Sequence, residues 1–280
     1  MQRLLRIALV RWVSALAFVG ALLLGDPASA DEQSRVALVI GNGAYEFAPK
    51  LDNPVVDAKA VAAALRRLGF DVREGYDLTS AQMRSTVKDF ADALSNSQAA
   101  LIYYAGHGVE THGLDYLVPV DANPRDEADV FAQMVGTSEI LDLLEKSGTG
   151  IKLVLLDACR DNPFRDRGVR STAGGLAQMA APVGTLISFA TQPRSVSLDG
   201  ADGHSPYTRA LVAAMQRPGS GLFRTFNDVG LAVDKATQGR QLPWVSSSAI
   251  AGNFYFAGKP ATEAALGTAE VRQNSGQMPP

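Results

Sequence analysis

Apolar residues along the chain fall into short uninterrupted runs that alternate with segments of helical spacing. The run RVALVIG, residues 35–41, ends at a glycine, and NPVVDAKAVAAALRRLG follows with an early proline and a closing glycine, as expected of a helix. The same alternation predicts further strands at 70–75, 99–106, 151–158 and 184–191, and helices at 79–94, 138–148, 205–215 and 222–239. A β-α-β-α-β order predicts an α/β fold with a largely parallel sheet and helices on its faces.

Two of the predicted central strands end in residues that can perform chemistry. LIYYAGHG delivers His107 and KLVLLDAC delivers Cys159. Open α/β sheets place ligands at the carboxyl ends of their strands, so parallel neighbours would bring thiol and imidazole to one edge. We interpret Gly106 and Gly108, which flank the histidine, as a tight turn that exposes it.

Cys159 is the only cysteine in the 280 residues. A thiol reacts as the thiolate, and an imidazole can take its proton and later protonate a leaving amine. The backbone N–H groups of Gly108 and Cys159 are candidate donors to an oxyanion. The pair predicts a cysteine hydrolase acting on amide or related acyl bonds. The alternative is that Cys159 is a packing residue and His107 a structural histidine; the polar neighbours Asp157 and Arg160 favour catalysis.

The N-terminal segment has the order of a secretory signal peptide. Arginines come first, then the apolar run WVSALAFVGALLL, then small residues ending at Ala30. An uncleaved membrane anchor is the alternative, but the run is shorter than the roughly 20 residues that a bilayer requires, and Gly25 and Pro27 follow it. We therefore expect cleavage after Ala30, export to the periplasm and no stable membrane anchor afterwards.

Composition limits the function classes. With 46% apolar and 20% charged residues the chain is globular, and a net charge of −3 gives no basic surface for nucleic acid. A lone cysteine cannot form a disulfide within its own chain, so it is buried and inert, intermolecular, or reactive. The C-terminal segment lacks apolar periodicity. We expect a signal peptide at 1–30, one domain at 31–258 and a disordered tail at 259–280.

Other site chemistries match the sequence less well. IGNGAY begins like a dinucleotide loop, but Glu46 stands where the third glycine belongs. His107 and His112 have no third ligand at metal spacing, so no metal site is predicted. Ser205 lacks the glycines of a nucleophile elbow.

YYAGHG, DACRD and the strand and helix order between them resemble the caspase-like cysteine peptidases (peptidase C14), specifically the metacaspase, paracaspase and bacterial orthocaspase branch. The caspase signature is Q-A-C-[RQG]-G with a histidine roughly 50 residues before it. Ala158, Cys159 and Arg160 match this signature, whereas Asp157 and Asp161 depart from it. The likeness extends from about residue 35 to 214.

This resemblance implies a three-layer α/β/α sandwich with a mostly parallel central sheet. It divides the domain into a large part to about residue 164, a connection at 165–183 and a small part from about 184. It also implies that Cys159 is the nucleophile, that His107 is the base, and that Gly108 and Cys159 form the oxyanion hole. No cofactor is required for such chemistry; calcium activates many metacaspases but not paracaspases, and the sequence identifies no calcium site.

The departures from the caspase pattern bear on specificity at P1, the substrate residue before the cleaved bond. Metacaspases and paracaspases carry aspartate at the position of Asp157 and another in the helix after the first strand, where Asp57 stands, and they cut after arginine or lysine. Two carboxylates in one pocket attract a cation and repel an acid. The alternative is that Asp57 is a helix acid stabilised by the dipole and Asp157 a solvated strand end.

The resemblance adds further substrate-binding candidates in the loop after the strand at 184–191. They are Ser197, Leu198 and Asp199, while Arg194 in the same loop counts against a basic P1 residue. The connection at 165–183 mixes arginine, glycine and small residues and is predicted to be a mobile surface segment. Because it holds Arg165, Arg167 and Arg170, self-processing is a hypothesis, and an unprocessed solvated loop is the alternative.

The sequence therefore predicts an exported caspase-like endopeptidase that acts on protein or peptide substrates through a Cys–His dyad. The alternative is a catalytically silent module of the same fold that binds a partner in its cleft.

Overall fold

The chain folds around a central β-sheet. The structure is a computed structural model, which describes residues 34–94, 97–159, 162–167, 169, 179–192 and 203–260. Within these residues the sheet has eight strands: β1 (Arg35–Gly41), β2 (Phe70–Tyr76), β3 (Ala99–Thr111), β4 (Leu114–Leu117), β5 (Val135–Gly136), β6 (Ile151–Cys159), β7 (Thr185–Phe189) and β8 (Trp244–Ser247). The main strand order is β2-β1-β3-β6-β7-β8. Only β7 and β8 pair antiparallel along this path, so the predicted mostly parallel sheet is confirmed.

Helices cover both faces of this sheet. They are α1 (Pro54–Arg67), α2 (Ser80–Asp92), α3 (Glu127–Gln133), α4 (Thr137–Lys146), α5 (Pro206–Met215) and α6 (Leu222–Thr237). In β1, Ala37 and Val39 share a buried cluster with residues of α1, α5 and α6, whereas Leu38 and Ile40 share one with α2 and α4. This alternation follows from the two-residue period of a strand. The α/β/α sandwich expected from the resemblance is thus the observed fold.

Local signals in the sequence account for the helix starts. Thr79 forms a capping box with Gln82, and the Ser205 side chain accepts a hydrogen bond from the Thr208 N–H at the start of α5. No helix in the described part of the chain combines the length and the apolar character needed to cross a bilayer.

The short elements β4, β5, β8 and α3 were not predicted from the sequence, because each spans too few residues to show a period.

Strand β3 does not end at residue 106 but continues to Thr111, where the chain turns into β4. His112 and Gly113, with φ of 52° and 75°, form the two-residue turn between them. Positive φ at both turn residues is the geometry that matches the twist of antiparallel strands. Strand β3 therefore extends beyond its predicted end, and His107 lies within it.

Candidate active site

Strands β3 and β6 lie side by side and parallel, and the last pair in their register is His107 of β3 with Cys159, the final residue of β6. The condition on which the sequence analysis depended, that these two strands are parallel neighbours, is met. The backbone of Cys159 closes β6, while its side chain lies outside the part of the chain that the structure describes. Gly108 follows His107 within β3 and pairs with Leu117 of β4.

The expectation that His107 is exposed in a tight turn is wrong. Its exposed fraction is 5%, and it lies inside β3. Gly106 has a φ of +151°, which lets the strand continue through a backbone conformation that other residues rarely adopt. Gly106 therefore marks a close approach of neighbouring groups, and both flanking glycines lie within the strand and not in a turn.

Two buried tyrosines hold the backbone of His107. The His107 N–H donates to the Tyr45 hydroxyl at 2.7 Å, and the Tyr104 hydroxyl donates to the His107 carbonyl at 2.8 Å. The Tyr45 ring also lies against the imidazole, with 4.5 Å between ring centroids. A Cβ on Gly106 would lie 2.5 Å from the Tyr45 hydroxyl and 2.6 Å from that of Tyr104. These tyrosines were not identified from the sequence, because their contacts with His107 depend on packing.

The imidazole of His107 is oriented by a backbone carbonyl. Its Nε2 lies 2.8 Å from the carbonyl oxygen of Pro49. A carbonyl only accepts hydrogen bonds, so Nε2 carries a proton and, in the neutral ring, Nδ1 carries the lone pair. The same contact stabilises the ring after it gains a second proton.

Asp57 and Asp157 are both buried, with exposed fractions of 2% and 7%. Ser205 links them: its N–H lies 3.3 and 3.2 Å from the two Asp57 carboxylate oxygens, and its hydroxyl donates to Asp157. The alternative that Asp157 is a solvated strand end is therefore wrong. Asp57 does lie in the first turn of α1, as its alternative had it, but out of contact with solvent.

Asp157 also accepts hydrogen bonds from the hydroxyls of Thr208, at 2.8 Å, and Tyr103, at 3.3 Å. Burial first, and then the charge of Asp57, raise the pKa of Asp157 to about 6, although the three hydroxyl donors act to lower it. We call Asp57, Asp157, Ser205, Thr208 and Tyr103 the acid cluster. Two carboxylates out of water and near one another favour a bound cation.

His204 completes this region and was not predicted to be a site residue. Its Nδ1 lies 2.7 Å from Asp57 Oδ1. In the sequence it stands just before the helix predicted at 205–215, and its contact with Asp57 spans 147 positions along the chain.

The other predicted site residues are only partly described. Arg165 and Arg167 lie in an exposed single turn of 3₁₀ helix, Arg165–Arg167, and Arg167 donates to the Asn123 side chain at 2.5 Å. The start of the predicted mobile connection is thus folded against the domain. Several calls from the sequence lie outside the described residues: Arg160, Asp161, Arg170, Arg194, Ser197, Leu198, Asp199, the segment 1–30 and the tail from 261. Residues 259 and 260 are described and form neither helix nor strand.

No group of three or more His, Cys, Asp or Glu side chains able to hold a metal ion occurs among the described residues.

Comparison with known proteins identifies relatives for this domain. Human mucosa-associated lymphoid tissue lymphoma translocation protein 1 is 42% identical over 130 residues, which are 46% of this chain and 15% of that protein. Its mouse homologue is 41% identical over 138 residues, 49% of this chain and 16% of that protein. A protein named paracaspase from Dictyostelium discoideum is 25% identical over 135 residues, 46% of this chain and 32% of that protein. The matched segment spans less than a third of each relative.

A family model described as a caspase domain matches residues 34–255, which contain all of the strands and helices described above. Since this match covers most of the chain, the protein belongs to the caspase-domain family of peptidases.

Proposed function

We propose that this protein is an exported cysteine endopeptidase that cleaves proteins or peptides after arginine or lysine. The observation that carries the proposal is the register of β3 and β6, which sets His107 opposite Cys159 at the carboxyl edge of the sheet. That edge is where α/β sheets bind ligands. Asp157 of the buried acid cluster lies two residues before Cys159 on the same strand.

In the proposed reaction His107 Nδ1 takes the proton of the Cys159 thiol. The thiolate sulfur then attacks the carbonyl carbon of the scissile bond, and the carbonyl electron pair moves onto oxygen. The N–H groups of Gly108 and Cys159 donate to that oxyanion. Because Nε2 keeps its hydrogen bond to Pro49 throughout, the imidazolium is stabilised while it holds the proton.

Collapse of this intermediate breaks the C–N bond, and His107 returns its proton to the leaving amine. The substrate remains as a thioester on Cys159. His107 then takes a proton from water, the resulting hydroxide attacks the thioester, and the Cys159 sulfur leaves with that proton. The cycle ends with a free carboxylic acid and the resting thiol.

The acid cluster supports a preference for a cationic P1 residue. Both carboxylates are buried, so a guanidinium or ammonium that enters meets charge in a poorly solvated environment. Truncating one partner of a buried, hydrogen-bonded charge pair weakens binding by about 2–5 kcal/mol. An acidic P1 side chain meets like charge there.

A fluorogenic panel with P1 Arg, Lys, Ala and Asp tests the proposal. At pH 8 we expect kcat/KM for Arg and Lys to exceed that for Ala by about 30-fold or more, and Asp to be cleaved least. A higher rate for Asp than for Arg contradicts the acidic pocket. Absence of cleavage across the panel favours a silent module that binds a partner.

Asp157→Asn supplies the control for this panel, since asparagine keeps the shape of the side chain and removes its charge. Its kcat/KM is expected to fall for Arg and Lys substrates and to change little for Ala. Because the pKa of Asp157 is about 6, protonation below that pH removes the same charge from the unsubstituted protein. The Arg:Ala ratio of kcat/KM should therefore fall as the pH falls through about 6, and this fall should be weaker in Asp157→Asn.

Export is a further part of the proposal. The order of basic, apolar and small residues in the segment 1–30 supports cleavage after Ala30. Expression of the full chain in a bacterium should give a periplasmic protein whose N-terminal residue is Asp31, as measured by intact mass and Edman sequencing. Recovery of the uncleaved chain from the cytoplasm contradicts this.

A further inference from the structure

His204 stands at the solvent-facing side of the acid cluster. Its Nδ1 lies 2.7 Å from Asp57 Oδ1, and the exposed fractions of the two side chains are 37% and 3%. An exposed imidazole therefore contacts a carboxylate that is otherwise out of contact with water. A cation that binds Asp57 must compete with this ring.

Ser205 contacts the carboxylates of both Asp57 and Asp157, so their orientation does not depend on the His204 ring alone. The Ser205 N–H contacts both oxygens of Asp57, and the Ser205 hydroxyl donates to Asp157. Ser205 is itself fixed as the cap of α5, because its side chain accepts from the Thr208 N–H at 2.9 Å. What His204 adds to this arrangement is a group whose charge can change.

The charge of the region depends on the protonation of that ring. A neutral imidazole donates Nδ1–H to Asp57 and leaves the carboxylate charge in place, whereas an imidazolium neutralises it. Histidine is the side chain that ordinarily changes charge between pH 5 and 8. Among the described residues, the titratable or charged groups that contact His204 are Asp57 from α1 and Arg209 from α5, and those that interact with the carboxylates behind it are Asp157 from β6, Tyr103 from β3 and Tyr207 from α5.

We propose that His204 is a specificity-determining residue that acts as the resident counter-ion of the acid cluster. When protonated it occupies Asp57 and excludes a P1 cation, and when neutral it yields Asp57 to arginine or lysine. Arg209 donates to the His204 carbonyl at 3.3 Å, a backbone contact that does not involve the ring. This inference rests on the proposed acidic P1 pocket.

Peptide binding separates this role from turnover. Two peptides that differ only in P1 arginine or citrulline are titrated into the Cys159→Ala protein, which does not cleave them. Citrulline keeps the size and shape of arginine and lacks its charge. Dissociation constants are measured at pH 8 and pH 6 with His204 present, in His204→Gln, and in the matched control His112→Gln. Glutamine can still donate a hydrogen bond to Asp57, and His112 is an exposed histidine that contacts Glu127 instead.

With His204 present, the preference for arginine over citrulline is expected to fall by about tenfold or more from pH 8 to pH 6, as expected when one opposing charge appears. In His204→Gln the fall should be at least about threefold smaller, with only the acids left to titrate. At pH 6 His204→Gln should bind the arginine peptide more tightly than the parent does. His112→Gln should behave as the parent.

Equal preferences in parent and His204→Gln at both pH values overturn the inference and leave the acidic pocket intact. A loss of arginine binding in His204→Gln at pH 8 also overturns it, because the ring would then position Asp57 and not compete for it. No preference for arginine in the parent at pH 8 overturns the acidic pocket and this inference together.

Discussion

Substitution of either Cys159 or His107 by alanine is expected to lower kcat/KM for a P1 arginine substrate by at least about 10³-fold. Alanine at 159 removes the attacking sulfur, and alanine at 107 removes the nitrogen that takes its proton. Because the two act as one unit, the double variant should be no slower than the slower single variant. Folding is checked for each variant by circular dichroism and urea unfolding.

The same pair can be tested without any substrate. Cys159 is the only cysteine, so alkylation by iodoacetamide reports on one thiol. Loss of the imidazole lowers the thiolate fraction, and alkylation of His107→Ala at pH 6.5 should be about tenfold slower. His112→Ala is the control, since His112 lies on the surface in contact with Glu127 and Phe131. Equal alkylation rates in all three proteins, or peptidase activity that survives loss of both residues, contradict the dyad.

The sequence was sufficient to predict the central strands, although β3 runs past its predicted end at residue 106 to Thr111. Strands that are buried on both faces consist of continuous apolar runs, and β1, β3 and β6 all show such runs. The placement of His107 opposite Cys159 was expected only if their strands were neighbours, and the observed strand order meets that condition. The strands β4 and β5 escaped prediction because each has four residues or fewer.

What the sequence could not predict is how distant segments pack around the candidate site. Glycines beside His107 favour a turn on local grounds, but both lie in the continuous strand β3, and the hydroxyls of Tyr45 and Tyr104 approach Gly106 closely. A helix was predicted to begin at Ser205, and Ser205 caps the observed helix α5. The hydrogen bond from its hydroxyl to Asp157 joins residues 48 positions apart, so no local sequence pattern predicts it.

At Asp157 the stability of the fold and the proposed P1 specificity favour opposite charge states of the carboxyl group. Because its pKa is raised from 3.8 to about 6 in the folded chain, the folded state binds this proton more tightly than the unfolded state. Its contribution to stability is therefore greatest below pH 3.8 and is lost as the pH rises through about 6. Three hydroxyl donors reduce this loss. A buried carboxylate that stays charged lowers the stability of the folded state, and such groups are characteristic of functional sites.

Gly106→Ala is expected to lower the free energy of unfolding by about 3 kcal/mol or more and kcat/KM by about 100-fold. Alanine is strained at a φ of +151°, and its Cβ would also lie 2.5 Å from the Tyr45 hydroxyl and 2.6 Å from that of Tyr104. Those hydroxyls hold the N–H and carbonyl of His107, so moving them displaces the imidazole. Urea unfolding measures the first effect and initial rates with a P1 arginine substrate measure the second.

Gly69→Ala separates backbone strain from this clash. Gly69 also has a positive φ, +81°, but a Cβ there meets nothing within 4 Å, and it lies just after α1 at the opposite end of the sheet from His107. Its substitution should lower the free energy of unfolding by only about 1–2 kcal/mol and leave kcat/KM unchanged. If Gly106→Ala is no more destabilising than Gly69→Ala and retains full activity, contact with the tyrosines is not what positions His107.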